Sequence, residues 1–190
     1  ESIYNKIPDN TLKEQIYNVL RNARKLTGLL GQLMDFRQIE SGTIQLRVSR
    51  NNIVNFLEEV VQDFRESCLQ KSIDIVLTTN KEEIWAWYDT EKMDKIIRNL
   101  LSNSYKFTSR NGRIEIKAYT RLVKMDKMEV SGGEDRQEVL VIKVIDNGKG
   151  IPETEKDKVF DRFYQIEKAS NRNNTEGTGI GLSIVKEFVQ

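Results

Sequence analysis

The sequence predicts an α+β fold, in which a mixed sheet carries helices on one face and is preceded by one long helix. Apolar residues repeat with helical spacing over residues 9–41. After Thr43, strand-like and helix-like segments follow one another in the order β-α-β-β-α-β-β-loop-α. The chain has 190 residues, of which 38% are hydrophobic, and this suffices for one core with an accessory element.

The first predicted element is a helix over residues 9–41. Its apolar positions recur in steps of four and three and form a heptad-like seam. The members of this seam are Leu12, Ile16, Val19, Ala23, Leu26, Leu30 and Leu33. Asp9 or Asn10 is expected to cap the start, and Ser41 and Gly42 to end the helix. So wide an apolar face needs a packing partner, which is either the following domain or a set of partner helices. We favour partner helices, because the seam is regular and the opposite face is charged.

In the middle of the chain, the residue pattern predicts short strands and one helix. Residues 44–48 alternate apolar and polar side chains, which is typical of a strand. Residues 53–64 then have helical spacing. Residues 73–78 and 84–88 are rich in β-branched and aromatic side chains, and we expect them to pair with each other as strands.

In the second half of the chain, the residue pattern predicts a helix, a strand pair and a final helix. Thr90 is expected to cap a helix that runs to about Ser104. Residues 114–122 and 139–146 are typical of paired strands, which a long polar connection joins. A mixed segment of helix and turn follows, and the last helix is expected to begin near Gly179.

Composition and charge exclude several kinds of function. The net charge of +1 argues against nucleic acid binding by bulk electrostatics. No apolar run reaches the roughly 18–20 residues that span a bilayer. The chain has no histidine, so it lacks histidine acid–base chemistry, histidine metal ligands and any phospho-acceptor histidine. The single Cys68 allows no disulfide within the chain and is expected to be a half-buried structural thiol in a reducing, cytoplasmic compartment.

The predicted helix from Thr90 carries a candidate metal and phosphate site. Asn99 and Asn103 are four residues apart and therefore share a face, and Lys106 follows near the end of the helix. An amide oxygen is a hard ligand that suits Mg²⁺, and a lysine adds a point charge for phosphate. Taken alone, the same spacing also fits a solvated helix face.

Two glycine-containing loops complete the candidate site. Asp146 ends an apolar strand and precedes Gly148 and Gly150, so its carboxylate can accept a hydrogen bond from an exocyclic amine such as that of adenine. The glycines of residues 177–181 begin a helix, whose positive end attracts phosphate. Each loop also has a simpler interpretation, as a plain turn or as a helix start without a ligand.

In this order and spacing, the motifs resemble those of sensor histidine kinases. Residues 98–108 resemble the N box of that family, and Asp146 with Gly148 and Gly150 resembles the G1 box. Residues 159–165 resemble the F box, and residues 177–185 resemble the G2 box. Residues 33–42 resemble the end of the second helix of the dimerisation and histidine-phosphotransfer domain. Several segments are most similar to hybrid two-component sensors of Bacteroides-type bacteria.

The resemblance implies two domains and a fold. Residues 1–42 would be a partial dimerisation and phosphotransfer helix. Residues 43–190 would be an ATP-binding α/β sandwich of the gyrase, chaperone and histidine-kinase type. The chain is expected to be an excised piece at both ends, since the helix with the phospho-acceptor histidine and the strand that usually follows the G2 helix are missing. The polar connection after residue 122 would be a family-variable insertion.

The resemblance also implies roles for the residues of the N box. Asn103 would ligate the Mg²⁺ on the ATP phosphates. Asn99 stands where related gyrase-type ATPases carry a general-base glutamate, so hydrolysis by water is expected to be poor. Lys106 would contact phosphate and complete the catalytic group with the two asparagines. Tyr105 would line the nucleotide pocket.

For the remaining motifs, the resemblance implies nucleotide contacts. Asp146 would bind adenine. The further expected contacts are Gly148, Gly150, Ile151, Arg162, Gly177, Thr178, Gly179, Ile180, Gly181 and Leu182. Residues 167–176 would form the ATP lid, with Phe160 and Phe163 at its base. Because residues 169–176 are polar, we expect fast amide exchange there without nucleotide.

The function implied is that of an ATP-dependent protein-histidine kinase with ATP, ADP and Mg²⁺ as ligands. The full protein would phosphorylate its own histidine and pass the phosphate to an aspartate of a response-regulator receiver domain. It would be a homodimer, the cytoplasmic part of an inner-membrane sensor, and this piece would bind no nucleic acid. Two alternatives remain open: another ATPase of the same superfamily, against which Asn99 argues, and a non-catalytic nucleotide-sensing module, against which the intact motifs argue.

Overall fold

The computed structural model describes residues 10–41, 45–124, 136–166 and 178–189. Within these ranges it contains four α-helices and five strands. The predictions for Asp9, Gly42, the connection at 125–135, the lid at 167–176 and Gly177 lie outside the described residues.

A three-stranded mixed sheet forms the centre of the fold. Its strands are β2 (Asp74–Thr79), β4 (Arg113–Lys124) and β5 (Arg136–Asp146), in the order β2-β4-β5. β2 is parallel to β4, and β4 is antiparallel to β5, with Ile114 opposite Asp146. This register places the end of β5 beside the start of β4. The predicted mixed sheet and the predicted pairing of residues 114–122 with 139–146 are confirmed.

Two helices cover one face of this sheet. These are α2 (Ile53–Gln70) and α3 (Thr90–Phe107). The inward residues of β4, Ile114, Ile116 and Ala118, are fully buried and share one core with Leu57 of α2 and Leu101 of α3. The intervening β4 residues carry polar or charged side chains, such as the ion pair of Glu115 with Lys117. Helices on one face of the sheet are therefore confirmed.

A two-stranded ribbon lies beside the main sheet. β1 (Ser49–Asn52) pairs antiparallel with β3 (Trp85–Tyr88). The side chain of Asn52 begins α2, because its Oδ1 accepts hydrogen bonds from Val54 N at 3.1 Å and from Ile84 N at 3.2 Å. One buried amide thus fixes both the start of α2 and its attachment to the chain before β3.

Three local predictions are wrong. Residues 45–48 are not a strand, and the strand in this region is β1, which starts at Ser49. β2 and β3 do not pair with each other, since β2 pairs with β4 and β3 with β1. The cap of α3 is Asp89 rather than Thr90, because the Asp89 carboxylate accepts from Lys92 N at 3.0 Å.

The long helix α1 (Asn10–Glu40) and the last helix α4 (Gly181–Val189) agree with the predicted helices. The apolar residues of α1 are largely exposed; Leu26, for example, has 66% of its surface accessible. Between β5 and α4 lie a short 3₁₀ helix (Glu153–Glu155) and turns, as expected. None of the described helices has the length and apolar character needed to span a membrane.

Cys68 is more deeply buried than expected. Its side chain is inaccessible and belongs to the core on α2. Burial raises the pKa of the Cys68 thiol, although the nearby Lys71 ammonium acts in the opposite direction. The thiol is thus neutral at physiological pH and has the structural role that was predicted.

Candidate functional site

One face of α3 connects all the candidate motifs. Asn99, Asn103 and Phe107 follow at intervals of four residues, so they lie in a row about 12 Å long. The Asn99 amide nitrogen donates to Lys95 O at 2.8 Å, which fixes the orientation of this side chain. Asn103 is half-buried, and within the part of the chain that the structure describes its amide makes no hydrogen bond. It is therefore available to a ligand.

The Asp146 loop lies at the C-terminal end of this row. Asp146 Oδ2 accepts a hydrogen bond from Ser104 Oγ at 2.9 Å, and Oδ1 accepts from Gly148 N at 3.0 Å. A Cβ at Gly148 would lie 2.7 Å from the carbonyl oxygen of Phe107. The absence of a side chain at Gly148 thus allows the loop to lie directly against the end of α3.

The sheet fixes the root of the same loop. Asn147 extends the β4–β5 pairing by one step, because its backbone N–H donates to Arg113 O at 3.2 Å. Its side-chain oxygen accepts from Arg113 N at 2.7 Å. The carboxylate of Asp146 is therefore presented from the end of a well-paired strand.

The start of α4 lies against the other end of the asparagine row. A Cβ at Gly181 would come within 2.6 Å of Asn99 Oδ1, so a side chain there would displace the Asn99 amide from its present position. Thr178 Oγ1 accepts from Ile180 N at 3.3 Å in the turn that leads into the helix. Ile180 is buried, and Leu182 is half-buried. The first backbone N–H groups of α4 form the positive end of its dipole.

The segment that precedes the predicted lid is attached to the same turn. Gly179 has φ +71°, and its carbonyl accepts from Phe163 N at 2.9 Å. A Cβ at Gly179 would lie 2.6 Å from the Phe163 carbonyl carbon. Phe163 itself has φ +62°, and 63% of the residue's surface is accessible. Contact here is thus made by the backbone, and the predicted role of Phe160 and Phe163 at the lid base stays a prediction.

Lysines surround the C-terminal end of α3. The ammonium groups of Lys106 and Lys149 each lie 4.9 Å from the centre of the Phe107 ring. Lys71 lies 4.1 Å from the ring centre of Tyr105 and donates to Tyr105 O at 3.0 Å. Tyr105 packs against the core, so the structure places its ring there and its role in a nucleotide pocket stays a prediction.

The remaining predicted contacts differ in their surroundings. Arg162 forms an ion pair with Glu187 of α4 at 3.3 Å, which attaches the 159–165 segment to that helix. Gly150 has φ +69° and open space around it. Ile151 is 44% exposed and leaves an apolar side chain at the loop surface. Gly177 lies outside the described residues.

The donor set fits a nucleotide with a divalent cation. Across the described ranges, no group of three or more histidine, cysteine, aspartate or glutamate residues that could hold a metal ion occurs. A magnesium ion here would take the Asn103 amide and fill its other positions with phosphate oxygens and water, as Mg²⁺ commonly does. The lack of side chains at Gly148 and Gly181 lets the Asp146 loop and α4 lie close to the two ends of the asparagine row.

The site contains two further groups, Ser104 and Lys149, that the sequence motifs do not predict. Ser104 holds the Asp146 carboxylate, although the two residues are 42 positions apart. Lys149 shares the Phe107 ring with Lys106. The sequence does not distinguish Ser104 from Ser102, which also adjoins Asn103, and only the structure shows that Ser104 is the buried one.

Comparison with known proteins gives a family match over the part of the chain that forms this site. The family model described as "Histidine kinase-, DNA gyrase B-, and HSP90-like ATPase" matches residues 88–190, which is more than half of the chain. The match begins at Tyr88 and includes α3, the Asp146 loop and α4.

Curated relatives align with most of the chain. The hybrid signal transduction histidine kinase D of Dictyostelium discoideum is 33% identical over 181 residues, covering 95% of this chain and 11% of the relative. The sensor histidine kinase WalK of Bacillus subtilis is 28% identical over 166 residues, covering 87% of this chain and 25% of the relative. The chain therefore spans only a tenth to a quarter of the length of these relatives.

Solved structures share the fold. The nucleotide-free catalytic domain of histidine kinase ThkA superposes with a TM-score of 0.59 at 25% identity, over 75% of this chain and 80% of that domain. Full-length ShkA in complex with AMPPNP gives a TM-score of 0.69 at 21% identity, over 93% of this chain and 33% of that protein. The predicted α+β sandwich is therefore confirmed.

Proposed function

The chain belongs to the family of histidine kinase-, DNA gyrase B- and HSP90-like ATPases, and on this premise we propose that it is the ATP-binding kinase unit of a sensor histidine kinase. Residues 43–190 are the kinase domain in this proposal, and residues 1–42 are part of a dimerisation and phosphotransfer domain. The similarity to proteins named histidine kinases over 87–95% of the chain supports this choice within the family.

One observation carries the proposal. A single face of α3 holds an available amide at Asn103 and has a fixed carboxylate, Asp146, at one end and the start of α4, Gly181, at the other. A purine base with an exocyclic amine fits the carboxylate end, and phosphates fit the helix start. The row between them is about 12 Å long, so both ends of one nucleotide are served by one helix.

In this mechanism Asp146 accepts a hydrogen bond from the 6-amino group of adenine. Gly148 and Gly150 leave the backbone close to the ring, and Ile151 supplies apolar surface. The turn into α4 supplies backbone N–H groups to the phosphates. The residues proposed for this role are Gly177, Thr178, Gly179, Ile180, Gly181 and Leu182. Arg162, which is paired with Glu187 of α4, adds positive charge near the phosphates. The Lys106 ammonium lies beside Phe107 at the other end of the row, and in this proposal its long side chain turns toward the phosphates when the nucleotide binds.

Asn103 is the proposed magnesium ligand. Through Asn103 the site would hold an ion that supplies positive charge to the phosphates, and such charge neutralisation is a main requirement of phosphoryl transfer. Asn99 Oδ1 lies beside Gly181 at the start of α4. An amide cannot remove a proton from water, so the site is suited to transferring the γ-phosphoryl group rather than to hydrolysis.

The acceptor belongs to the full protein. The chain contains no histidine, so the phosphoryl group passes from ATP to an imidazole nitrogen of a histidine outside it, and ADP leaves. The next acceptor in the proposal is an aspartate of a response regulator. A ThkA structure described as a complex with response regulator TrrA, 22% identical to this chain, shares the fold and supports the idea by analogy.

The long helix α1 supports a homodimer in the full protein. Its seam residues Val19, Leu26 and Leu30 are each at least 60% exposed, so the rest of the described chain does not cover their apolar surface. We also propose a cytoplasmic location in a membrane-anchored sensor. The buried free thiol of Cys68 is consistent with a reducing compartment.

Nucleotide titration tests the proposal. The chain should bind ATP in the presence of Mg²⁺ and prefer it to GTP in isothermal titration. Asp146→Ala should weaken ATP binding by about 1–3 kcal/mol, because the amine of a bound adenine loses its acceptor. Asp157→Ala, which removes an exposed carboxylate outside the site, is the control and should bind as wild type. Equal affinity of the wild type for ATP and GTP would exclude adenine recognition by Asp146.

A further inference from the structure

The Asp146 carboxylate is held on both oxygens by groups from different elements. Oδ2 accepts from Ser104 Oγ on α3 at 2.9 Å, and Oδ1 accepts from Gly148 N in its own loop at 3.0 Å. Asp146 is nevertheless exposed, so the outer lone pairs of both oxygens face the surroundings. Such a carboxylate has a fixed plane and still has free acceptor positions.

Ser104 is placed to fix this plane. Only 5% of its surface is accessible, and it lies on the turn of α3 that follows Asn103. Asp146 carries no proton to donate when ionised, so the Ser104 hydroxyl is the donor in this contact. Hydrogen bonds to a charged acceptor are stronger than those between neutral groups, and a buried donor has no water to compete for it.

We propose that Ser104 is a positioning residue that sets base selectivity. Its hydroxyl holds the Asp146 carboxylate in the orientation that accepts the 6-amino group of adenine, and it thereby disfavours 6-oxopurine nucleotides. This inference rests on the proposed function, in which Asp146 faces the nucleotide base.

The selectivity follows from the donors that each purine presents. Adenine has an amine at position 6, whereas hypoxanthine and guanine have a carbonyl there and an N1–H beside it. A carboxylate with a fixed plane repels the carbonyl oxygen. A carboxylate that can turn finds a partner in the neighbouring N1–H, so loss of Ser104 should reduce the difference between the two purine classes.

Titration with two nucleotides measures this effect. The 190-residue chain is titrated with ATP and with inosine triphosphate, each with Mg²⁺. Ser104→Ala should lower the affinity for ATP about tenfold, with a smaller change for inosine triphosphate, so that the ratio of the two affinities falls. Ser104→Thr keeps the hydroxyl and should retain the ratio. Ser67→Ala, a serine change on α2, is the matched control and should leave both affinities unchanged.

Two further variants separate positioning from structure. Ser104→Cys fills the same space with a weak donor. It should therefore also lower the ratio of the affinities for ATP and inosine triphosphate, and it provides this test even if Ser104→Ala does not fold. In an Asp146→Asn background, Ser104→Ala should have no further effect on the ratio, because the two residues act as one unit. Circular dichroism confirms the fold of each variant.

The outcomes test the positioning role of Ser104 separately from the proposed nucleotide-binding function. A folded Ser104→Ala or Ser104→Cys with the wild-type ratio would overturn the positioning role and leave the proposed function intact. Equal weakening for both nucleotides, or a full effect in the Asp146→Asn background, would show a structural role and would also overturn it. A wild-type chain that binds neither nucleotide would overturn the proposed function together with this inference.

Discussion

Gly148 and Gly28 show opposite uses of glycine at single positions. A Cβ at Gly148 would meet the backbone oxygen of Phe107 at 2.7 Å and Asp146 Oδ1 at 2.8 Å. Gly28 lies inside α1 with nothing within 4 Å of such an atom. The added methyl group is therefore excluded in the first case and accommodated in the second.

Alanine should destabilise the chain at Gly148 but not at Gly28. Gly148→Ala forces the loop away from α3 and should lower the free energy of unfolding by about 1–3 kcal/mol, and ATP binding should weaken with it. Gly28→Ala should be neutral or stabilise the helix by up to about 1 kcal/mol. Urea denaturation followed by circular dichroism measures both. A Gly148→Ala variant with the wild-type midpoint would show that the loop is not held as described.

The candidate site could be predicted only in part from the sequence. Asn99, Asn103, Asp146 and Gly181 are recognisable from their spacing and neighbours, and the structure brings them onto one face or to its ends. Ser104 was not recognisable, because its partner is 42 residues away and the contact depends on how β5 meets α3. Contacts between distant residues leave no local pattern in a single sequence.

At the scale of elements, the cap of α3 makes stability depend on pH. Asp89 is mostly buried, and burial alone would raise its pKa. Hydrogen bonds from Arg47 N at 2.8 Å and from Lys92 N at 3.0 Å, together with the Lys92 charge, outweigh burial and lower the pKa of Asp89 below its ordinary value. The ionised carboxylate is thus favoured in the folded chain.

The direction of the pH effect follows from this lowered pKa. Asp89 contributes its full stabilisation above the unfolded-state pKa of about 3.9, and the contribution disappears as pH falls through the lower folded-state pKa. Asp89→Ala should cost about 0.5–2 kcal/mol at neutral pH, which is typical of a lost N-cap. The difference from wild type should shrink at acid pH, as measured by urea midpoints between pH 7 and pH 2.5.

Asp89→Asn separates the cap from its charge. It keeps a capping oxygen but cannot titrate, so its midpoint should approach that of wild type as Asp89 becomes protonated. Asp161→Asn, on the exposed turn before α4, controls for loss of one negative charge. A constant difference between wild type and Asp89→Asn from pH 7 to pH 2.5 would contradict the role of the ionised carboxylate.

Helices were predictable where the periodic apolar pattern extends over many residues. The repeat of α1 and the apolar face of α3 extend over several turns, and both helices were found close to their predicted bounds. The pairing of β4 with β5 was predictable, but the partners of β2 and β3 were not, since β2 crosses over to pair with β4 and β3 pairs back with β1. Residues 45–48 alternate like a strand but find no neighbour, so local pattern and actual pairing differ there.

For the whole molecule, the proposed function makes the helix α1 and residues 43–190 parts of one reaction. α1 carries exposed seam residues, and its Gly28 and Gly31 line a cleft with Arg98 and Asn99 of α3. The row of site residues on α3 is therefore next to the segment that, in the proposed function, belongs to the phosphotransfer domain. Phosphate transfer across this junction needs an acceptor histidine, which the chain lacks.

Transfer to a separate acceptor tests the whole reaction. A second polypeptide that carries complete phosphotransfer helices, histidine included, should take up label from γ-labelled ATP when mixed with this chain. The rate should be low, because two untethered parts lose the effective concentration of a linked domain. Label should appear on the acceptor only in the presence of both ATP and Mg²⁺.

Asn103→Ala should abolish this transfer and leave the fold intact. The change removes the proposed magnesium ligand, whereas the amide is half-buried and makes no hydrogen bond in the described part of the chain, so little packing is lost. Asn55→Ala removes an exposed amide on α2, away from the site, whose oxygen accepts from Asn52 Nδ2 at 3.3 Å; it is the control and should transfer as wild type. Equal transfer by wild type and Asn103→Ala would refute the metal assignment. If neither transferred while ATP still bound tightly, a nucleotide-sensing module without kinase activity would explain the intact site better, because binding and phosphoryl transfer would then have been separated by experiment.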